Sequence, residues 1–359
     1  MENNKTNQIV SPHPMKSKLK IAIIADPELP VPPILYGGIE RVIFMLVQGY
    51  CTLGHEVSLF AHSDSLTNAK LFPYVGRKST NKTDVLKNML LINRELYKNQ
   101  YDIVHNFGRL VYLFPQLPFK LPKLMSYQRE PTVSSITGAM RYAKQNSLAF
   151  TGCSEYISQQ ITPYAPSSAI FNGVDLDFYH FQEKVDQDAP LVFLGRIEPI
   201  KGTHTAIEVA IQTEKKLIIA GNVPEEHQHY FDEAIKPRLN EQVKYIGAVN
   251  DAKKNDLLGS ALAFLMPIEW NEPFGIVMAE ALACGTPVIG FNRGSVAEIV
   301  INGRNGFKCD DVNEMIKYVK KIGEVSRYEV RKDAEKRFSA EVIIQEYLSL
   351  YSNLINKHG

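Results

Sequence analysis

What most restricts this chain is a twice-repeated alternation of short apolar runs with amphipathic stretches. IAIIAD (21–26), EVSLFA (56–61), YDIVHNF (101–107), KLMSYQ (123–128), LAFTGCS (148–154) and SAIFNGV (168–174) read as strands of one parallel sheet. Strands covered on both faces need such near-continuous apolar runs. The rhythm restarts with LVFLGRI (191–197), KLIIAG (216–221), VKYIGAV (243–249), AFLMPI (263–268) and PVIGFN (287–292). Helices are expected near 202–213, 225–238, 251–260, 275–284 and 312–321. The fold class is therefore α/β, with two doubly wound domains facing a cleft at the carboxyl ends of their strands. A length of 359 residues is too great for one ordinary core and comfortable for two. The polar, aperiodic stretch DLDFYHFQEKVDQDAP separates the two series. The expected division is a disordered tail (1–18), a first domain (19–174), a linker (175–189), a second domain (190–338) and a last helix (339–359).

Charge and cysteine usage narrow the function. Forty Lys and Arg against 39 Asp and Glu leave a net charge of +1, so no nucleic-acid partner is expected and any polyanion site must be local. Cys51, Cys153, Cys284 and Cys309 are scattered without metal-ligand or CxxC spacing, which fits a reduced, cytoplasmic chain. The polar, proline-containing N-terminus is expected to be neither signal peptide nor membrane span.

Four strand ends carry chemistry. In PPILYGGIERVIF (32–44) a Gly pair opens a helix whose amides suit a phosphate, or simply form a flexible turn; GxGxxG is absent, which argues against a dehydrogenase. In FLGRIEPIKGTHTA (193–206) Arg196 and Lys201 can converge on one strand-end pocket, between Gly195 and Gly202; the alternative is two ordinary surface charges. In MPIEWNEPFGIVMAEALACGTPVIG, Pro273 and Gly275 start a helix whose first-turn amides stay free. Glu272 precedes that helix and Glu280 lies inside it, so each carboxylate meets a different part of one elongated ligand, accepting hydrogen bonds from vicinal hydroxyls. In YDIVHNFGR, His105 sits near a strand end, either as a structural histidine or at the cleft.

Taken together, GGIE, GRIEPIKG, NGVD, EPFGIVMAEALACGTPVI and NGRNGF resemble glycosyltransferase family 4, retaining enzymes of the GT-B fold, from about residue 20 to the C-terminus. The resemblance implies two Rossmann-like domains, the first binding acceptor and the second binding a nucleotide sugar as substrate, with no cofactor and no metal. It implies that Glu272 holds donor hydroxyls and Glu280 the ribose. Arg196 and Lys201 would grip the diphosphate, and the backbone at Phe274, Gly275 and Ile276 would cradle sugar and phosphate. Gly38 would lie beside the phosphates, Val249 near the base and His105 near the reacting sugar, while the last helix would return to the first domain. Family frequency favours a UDP-sugar over GDP-mannose, with a glycan, lipid-linked or small-molecule acceptor.

Two departures, Phe171 before NGVD and Arg293 in NRGS, border the expected donor pocket. The DxD pairs Asp175–Asp177 and Asp186–Asp188 fall in the linker, where chance matches are common. A glycoside hydrolase would have no use for the Arg196–Lys201 pair. A nucleotide-sugar-binding protein without turnover remains open at this point. Residues 77–98, rich in Lys and Arg with interspersed leucines, suit either a solvated helix or weak peripheral contact with the inner face of a membrane.

Overall fold

The computed structural model describes residues 18–34, 37–186 and 188–357; most of the expected N-terminal tail lies outside these. Two all-parallel sheets form the body of the molecule. The first comprises β1 (Lys20–Ile24), β2 (Glu56–Ala61), β3 (Lys70–Pro73), β4 (Ile103–Asn106), β5 (Lys123–Tyr127), β6 (Leu148–Gly152) and β7 (Ser167–Ala169), in the order β3-β2-β1-β4-β5-β6-β7. The second comprises β8 (Leu191–Leu194), β9 (Leu217–Ala220), β10 (Val243–Tyr245), β11 (Ala263–Met266), β12 (Val288–Phe291) and β13 (Gly306–Cys309), ordered β10-β9-β8-β11-β12-β13. In each sheet the order reverses beside the first strand, the place where a doubly wound sheet leaves a crevice for ligand.

Helices cover the sheets: α1 (Gly38–Thr52), α2 (Lys82–Lys98), α3 (Val133–Tyr142) and α4 (Glu155–Ile161) with the first, and α5 (Thr203–Gln212), α6 (Gln228–Tyr230), α7 (Asp251–Ser260), α8 (Ile276–Ala283), α9 (Val296–Ile299), α10 (Val312–Val319) and α11 (Arg327–Phe338) with the second. The helix expected over 225–238 is broken. Between Pro224 and Arg238 the chain passes through 3₁₀, α and π turns, and Pro237 removes an amide from the last of them. Residues 175–186 and 188–190 carry neither strand nor helix.

The last helix, α12 (Ala340–Asn356), packs against α1 of the first domain. Side chains alternate along β4, so Ile103, His105 and Phe107 share the face that α1 and α12 cover. His105 is consequently fully buried. Its Nδ1 meets the Tyr351 hydroxyl at 2.5 Å, its Nε2 meets the Ser126 hydroxyl at 2.6 Å, and its ring lies against Phe107 and Tyr347. The expected place beside a reacting sugar is thus not where His105 lies; it is a tie between the first sheet and the returning helix. Burial holds its imidazole well below the usual pKa.

The neutral His105 contributes stability that is present above the ordinary histidine value of 6.5 and is lost as pH falls below it, where the unfolded chain takes up the proton. We expect His105→Ala to open a cavity and remove one of the partners of each of two buried hydroxyls, which keep Tyr50 and Thr151, and to cost about 2–4 kcal/mol in denaturant unfolding. The folded fraction should keep its kcat within a few-fold. A hundredfold loss of kcat at unchanged stability would instead put His105 in the chemistry.

Candidate active site

At the end of β8 the chain turns through Gly195 and Arg196 into a 3₁₀ turn, Pro199–Lys201. Gly202 then adopts a left-handed conformation (φ 72°), and a Cβ there would stand 1.9 Å from the Pro267 carbonyl oxygen. Only glycine allows this approach. It brings Lys201 against the loop after β11: its Nζ lies 2.8 Å from Glu272 Oε2 and 4.9 Å from the centre of the Trp270 ring. Trp270 Nε1 donates to the same carboxylate oxygen at 3.0 Å. Arg196 pairs with Glu198 at 2.9 Å and stays one-third exposed. Lys201 and Glu272, 71 residues apart in the chain, are therefore brought together, whereas Arg196, expected to converge with Lys201, is engaged on Glu198.

The start of α8 is set by Gly275, also left-handed (φ 69°), where a Cβ would come within 2.8 Å of Met278 Cε. Phe274 turns its ring away from the cleft, against Phe171 and Phe338. Its backbone and that of Gly275 thus form the loop that leads into the free amides of Ile276 and Val277. Gly38, at the start of α1, faces this point from the other domain: its missing Cβ would stand 3.5 Å from Ile276 Cγ2. Two helix N-termini, one from each domain, meet here and make the place suited to an anion.

Glu280, 2% exposed, is held from two sides. Tyr179 donates its hydroxyl to Oε1 at 2.5 Å and Lys254 Nζ lies 2.5 Å from the same atom, while Oε2 is buried without a partner. Lys254 also reaches Asp251 at 3.2 Å, and Asp251 takes a bidentate grip from Arg41 of α1, with contacts of 2.9–3.2 Å. Val249, half-buried, lies in the loop just before the Asn250 cap of α7. A cavity of about 830 Å³ has Ile276, Glu280, Asp251, Tyr179 and Arg41 in its wall. Sequence reasoning did not find Tyr179, Lys254, Asp251, Arg41 or Trp270. Trp270, two residues before Glu272, carried the only local signal; the rest come from distant elements. Of the DxD residues, Asp175 caps its own turn by accepting from the Asp177 and Phe178 amides, and Asp188 pairs with Lys216.

The first domain contributes Asp26, just past the end of β1. Arg129 Nη2 lies 3.2 Å from its Oδ2, and Oδ1 is buried without a partner beneath Gly108. Burial pushes its carboxyl up to about 6 against the pull of Arg129, with Glu28 adding to the rise. A carboxyl raised from 3.8 favours folding fully below pH 4 and loses that contribution as pH climbs through 6, about 3 kcal/mol in all. Asp26→Asn should abolish this loss, so that between pH 4 and 7 the variant gains on the parent by that order in urea unfolding. Parallel pH profiles would remove the assignment.

Two family models match the chain, Glycosyltransferase Family 4 over residues 36–178 and Glycosyl transferases group 1 over residues 177–340. Spore coat protein SA of Bacillus subtilis is 25% identical over 93% of this chain and 99% of its own length. AviGT4, a glycosyltransferase involved in avilamycin A biosynthesis, superposes with a TM-score of 0.69 at 25% identity, over 94% of this chain and 98% of its own. The Anabaena protein HepE, solved in complex with UDP-glucose, has the same fold with a TM-score of 0.72 at 17% identity, over 93% and 100% of the two chains. With the two-sheet architecture and the strand-end site, these matches place the chain in glycosyltransferase family 4, as a hexosyltransferase of the GT-B fold.

Proposed function

We propose that the protein is a retaining hexosyltransferase that uses a nucleotide sugar, a UDP-sugar by preference, and needs no metal. The observation that carries this reading is the Lys201–Glu272 contact at the start of α8, opposite Gly38. A cation suited to grip a diphosphate and a carboxylate suited to grip sugar hydroxyls stand in direct contact. Arg196 and Lys201 supply the positive charge that a divalent cation would otherwise give the leaving diphosphate. The known UDP-glucose complex of the Anabaena protein, which shares this fold, supports the choice of donor. Glu280 would take ribose hydroxyls on its free Oε2, and the loop through Val249 would border the base.

In the reaction the bond from the anomeric carbon to the diphosphate oxygen breaks, and the acceptor oxygen bonds to that carbon. The acceptor's proton passes to the departing diphosphate. Glu272 is engaged on hydroxyls and Glu280 lies away on the ribose, so neither is free to attack the anomeric carbon from behind, as double displacement requires. Leaving group and acceptor then share one face and the anomeric configuration is kept.

Proton NMR of the fresh linkage tests this: an α-linked donor should yield an α product, and a β product would end the retaining mechanism. In the same assay Arg196→Ala and Lys201→Ala should each lower turnover by about 10²–10³-fold, the size of a lost oxyanion donor, while EDTA leaves the parent unchanged. Near-normal rates in both variants would dismiss the diphosphate role.

We also propose weak contact with an anionic membrane through α2. Among the described residues no helix is long and apolar enough to cross a membrane. α2 buries Asn88, Ile92, Asn93 and Leu96, whereas Leu86 (50% exposed) and Leu90 (61%) face outward among Lys82, Lys87 and Arg94. An apolar pair ringed by cations suits the headgroup boundary of an anionic leaflet. Co-sedimentation with phosphatidylserine vesicles at low salt should exceed that with phosphatidylcholine, and equal binding would refute it.

A further inference from the structure

A second cavity, of about 430 Å³, lies wholly in the first domain, between the carboxyl ends of β4 and β5, the 3₁₀ segment Leu110–Gln116 and the Ser79–Thr80 turn. Ile39 lines it, and the adjacent Gly38 faces Ile276 at the donor site. A molecule seated in this cavity therefore lies beside the point where the sugar is released. Its wall combines aromatic carbon, from Phe107, Phe114 and Tyr127, with two guanidinium groups, Arg109 and Arg129.

The two arginines are held in different ways. Arg109 donates Nη1 to the Ser79 carbonyl, and among the described residues no carboxylate stands within ion-pair distance of it. Arg129 spends Nη2 on Asp26 and leaves 70% of its side chain exposed. Glu130, the acid of the same wall, is turned to the Tyr156 hydroxyl at 2.6 Å. Each arginine is thus anchored through part of its fork, with further N–H donors unspent. A guanidinium anchored at one end and open at the other presents parallel donors to a tetrahedral oxyanion, and it does so better than an ammonium. Because Asp26 and Glu130 offset the charge, selection here rests on fork geometry more than on a general positive field.

Resting on the glycosyltransferase reading, we propose that the acceptor is a phosphorylated polyol or sugar whose phosphate is bound by Arg109 and Arg129. Its ring lies on the aromatic wall and its reacting hydroxyl points to the Gly38–Ile276 gap. The phosphate can belong to a soluble sugar phosphate or to a lipid headgroup, since the chemistry at the arginines is the same.

Calorimetric titration of the full chain saturated with UDP separates this site from the diphosphate site. Glucose 6-phosphate and glycerol 3-phosphate serve as soluble probes, glucose as the neutral control, and phosphatidylinositol against phosphatidylcholine vesicles as the lipid arm. Binding of a soluble phosphate, or of phosphatidylinositol alone, supports the proposal and tells the two sources apart. In either case Arg109→Ala and Arg129→Ala should each weaken it roughly tenfold or more, with UDP affinity unchanged. The proposal is overturned if no phosphate probe binds, if glucose binds as tightly as its phosphate, if both variants bind like the parent, or if only Arg196→Ala abolishes binding. Failure of UDP itself to bind would strike the glycosyltransferase reading instead, and is read separately.

Discussion

Three consecutive carbonyls, those of Glu272, Pro273 and Phe274, are all taken from behind. The Ser295 amide donates to the first at 2.9 Å, the Ser154 hydroxyl to the second at 2.5 Å and the Ser295 hydroxyl to the third at 2.8 Å. A loop whose acceptors are satisfied on one side has its donors and side chains left for the other. That division aims the Glu272 carboxylate and the α8 amides into the cleft. Gly294, where a Cβ would lie 2.4 Å from the Glu272 carbonyl oxygen, lets the Ser295 turn come close enough to make two of the three bonds. Ser154 belongs to the first domain, so one of the three bonds that hold this loop crosses between the domains. The same edge is secured by Glu298 of α9, whose carboxylate accepts from the Glu155 and Tyr156 amides at the start of α4.

A second line of force crosses the cleft by charge. Arg41, Asp251, Lys254 and Glu280 alternate in sign from α1 to α8, and Tyr179 closes the series. Buried ions are tolerable only when each has a partner, and removing one strands the next. The arrangement orients Glu280 through Oε1 alone and leaves its buried second oxygen without a partner. In the Lys201–Glu272 pair the two members hold each other directly, with Trp270 donating to the same carboxylate oxygen.

Both sheets and most crossover helices were legible in the sequence because buried parallel strands leave continuous apolar runs. β3 was not: KLFP is an exposed edge ending in proline, without an apolar stretch long enough to register. β13 hides because Gly306 and Lys308 interrupt its run. At the site, residues close in sequence were readable, since Pro273 and Gly275 dictate where α8 begins and so where Glu272 and Glu280 must lie. His105 was misplaced by a matter of parity. A strand-end histidine reaches a cleft only from the right face of the sheet, and which face α12 covers is decided some 240 residues downstream. Arg41, Lys254 and Tyr179 were invisible for the same reason, each being an ordinary residue until a distant element arrives beside it.

The two domains are joined twice, and the two crossings run side by side. Val174 donates its amide to the Phe338 carbonyl at 2.8 Å, and the Ala340 amide donates to the Val174 carbonyl at 3.1 Å, so outgoing and returning chains are bonded like neighbouring strands. Arg41 to Asp251 and Ser154 to Pro273 also bridge the two domains, while the tie from Tyr351 to His105 lies inside the first. The helix that carries Tyr351 belongs to the second half of the chain but is welded into the core of the first. The return to the first domain is thus confined to the few residues between Phe338 and α12, bonded to the outgoing chain at Val174.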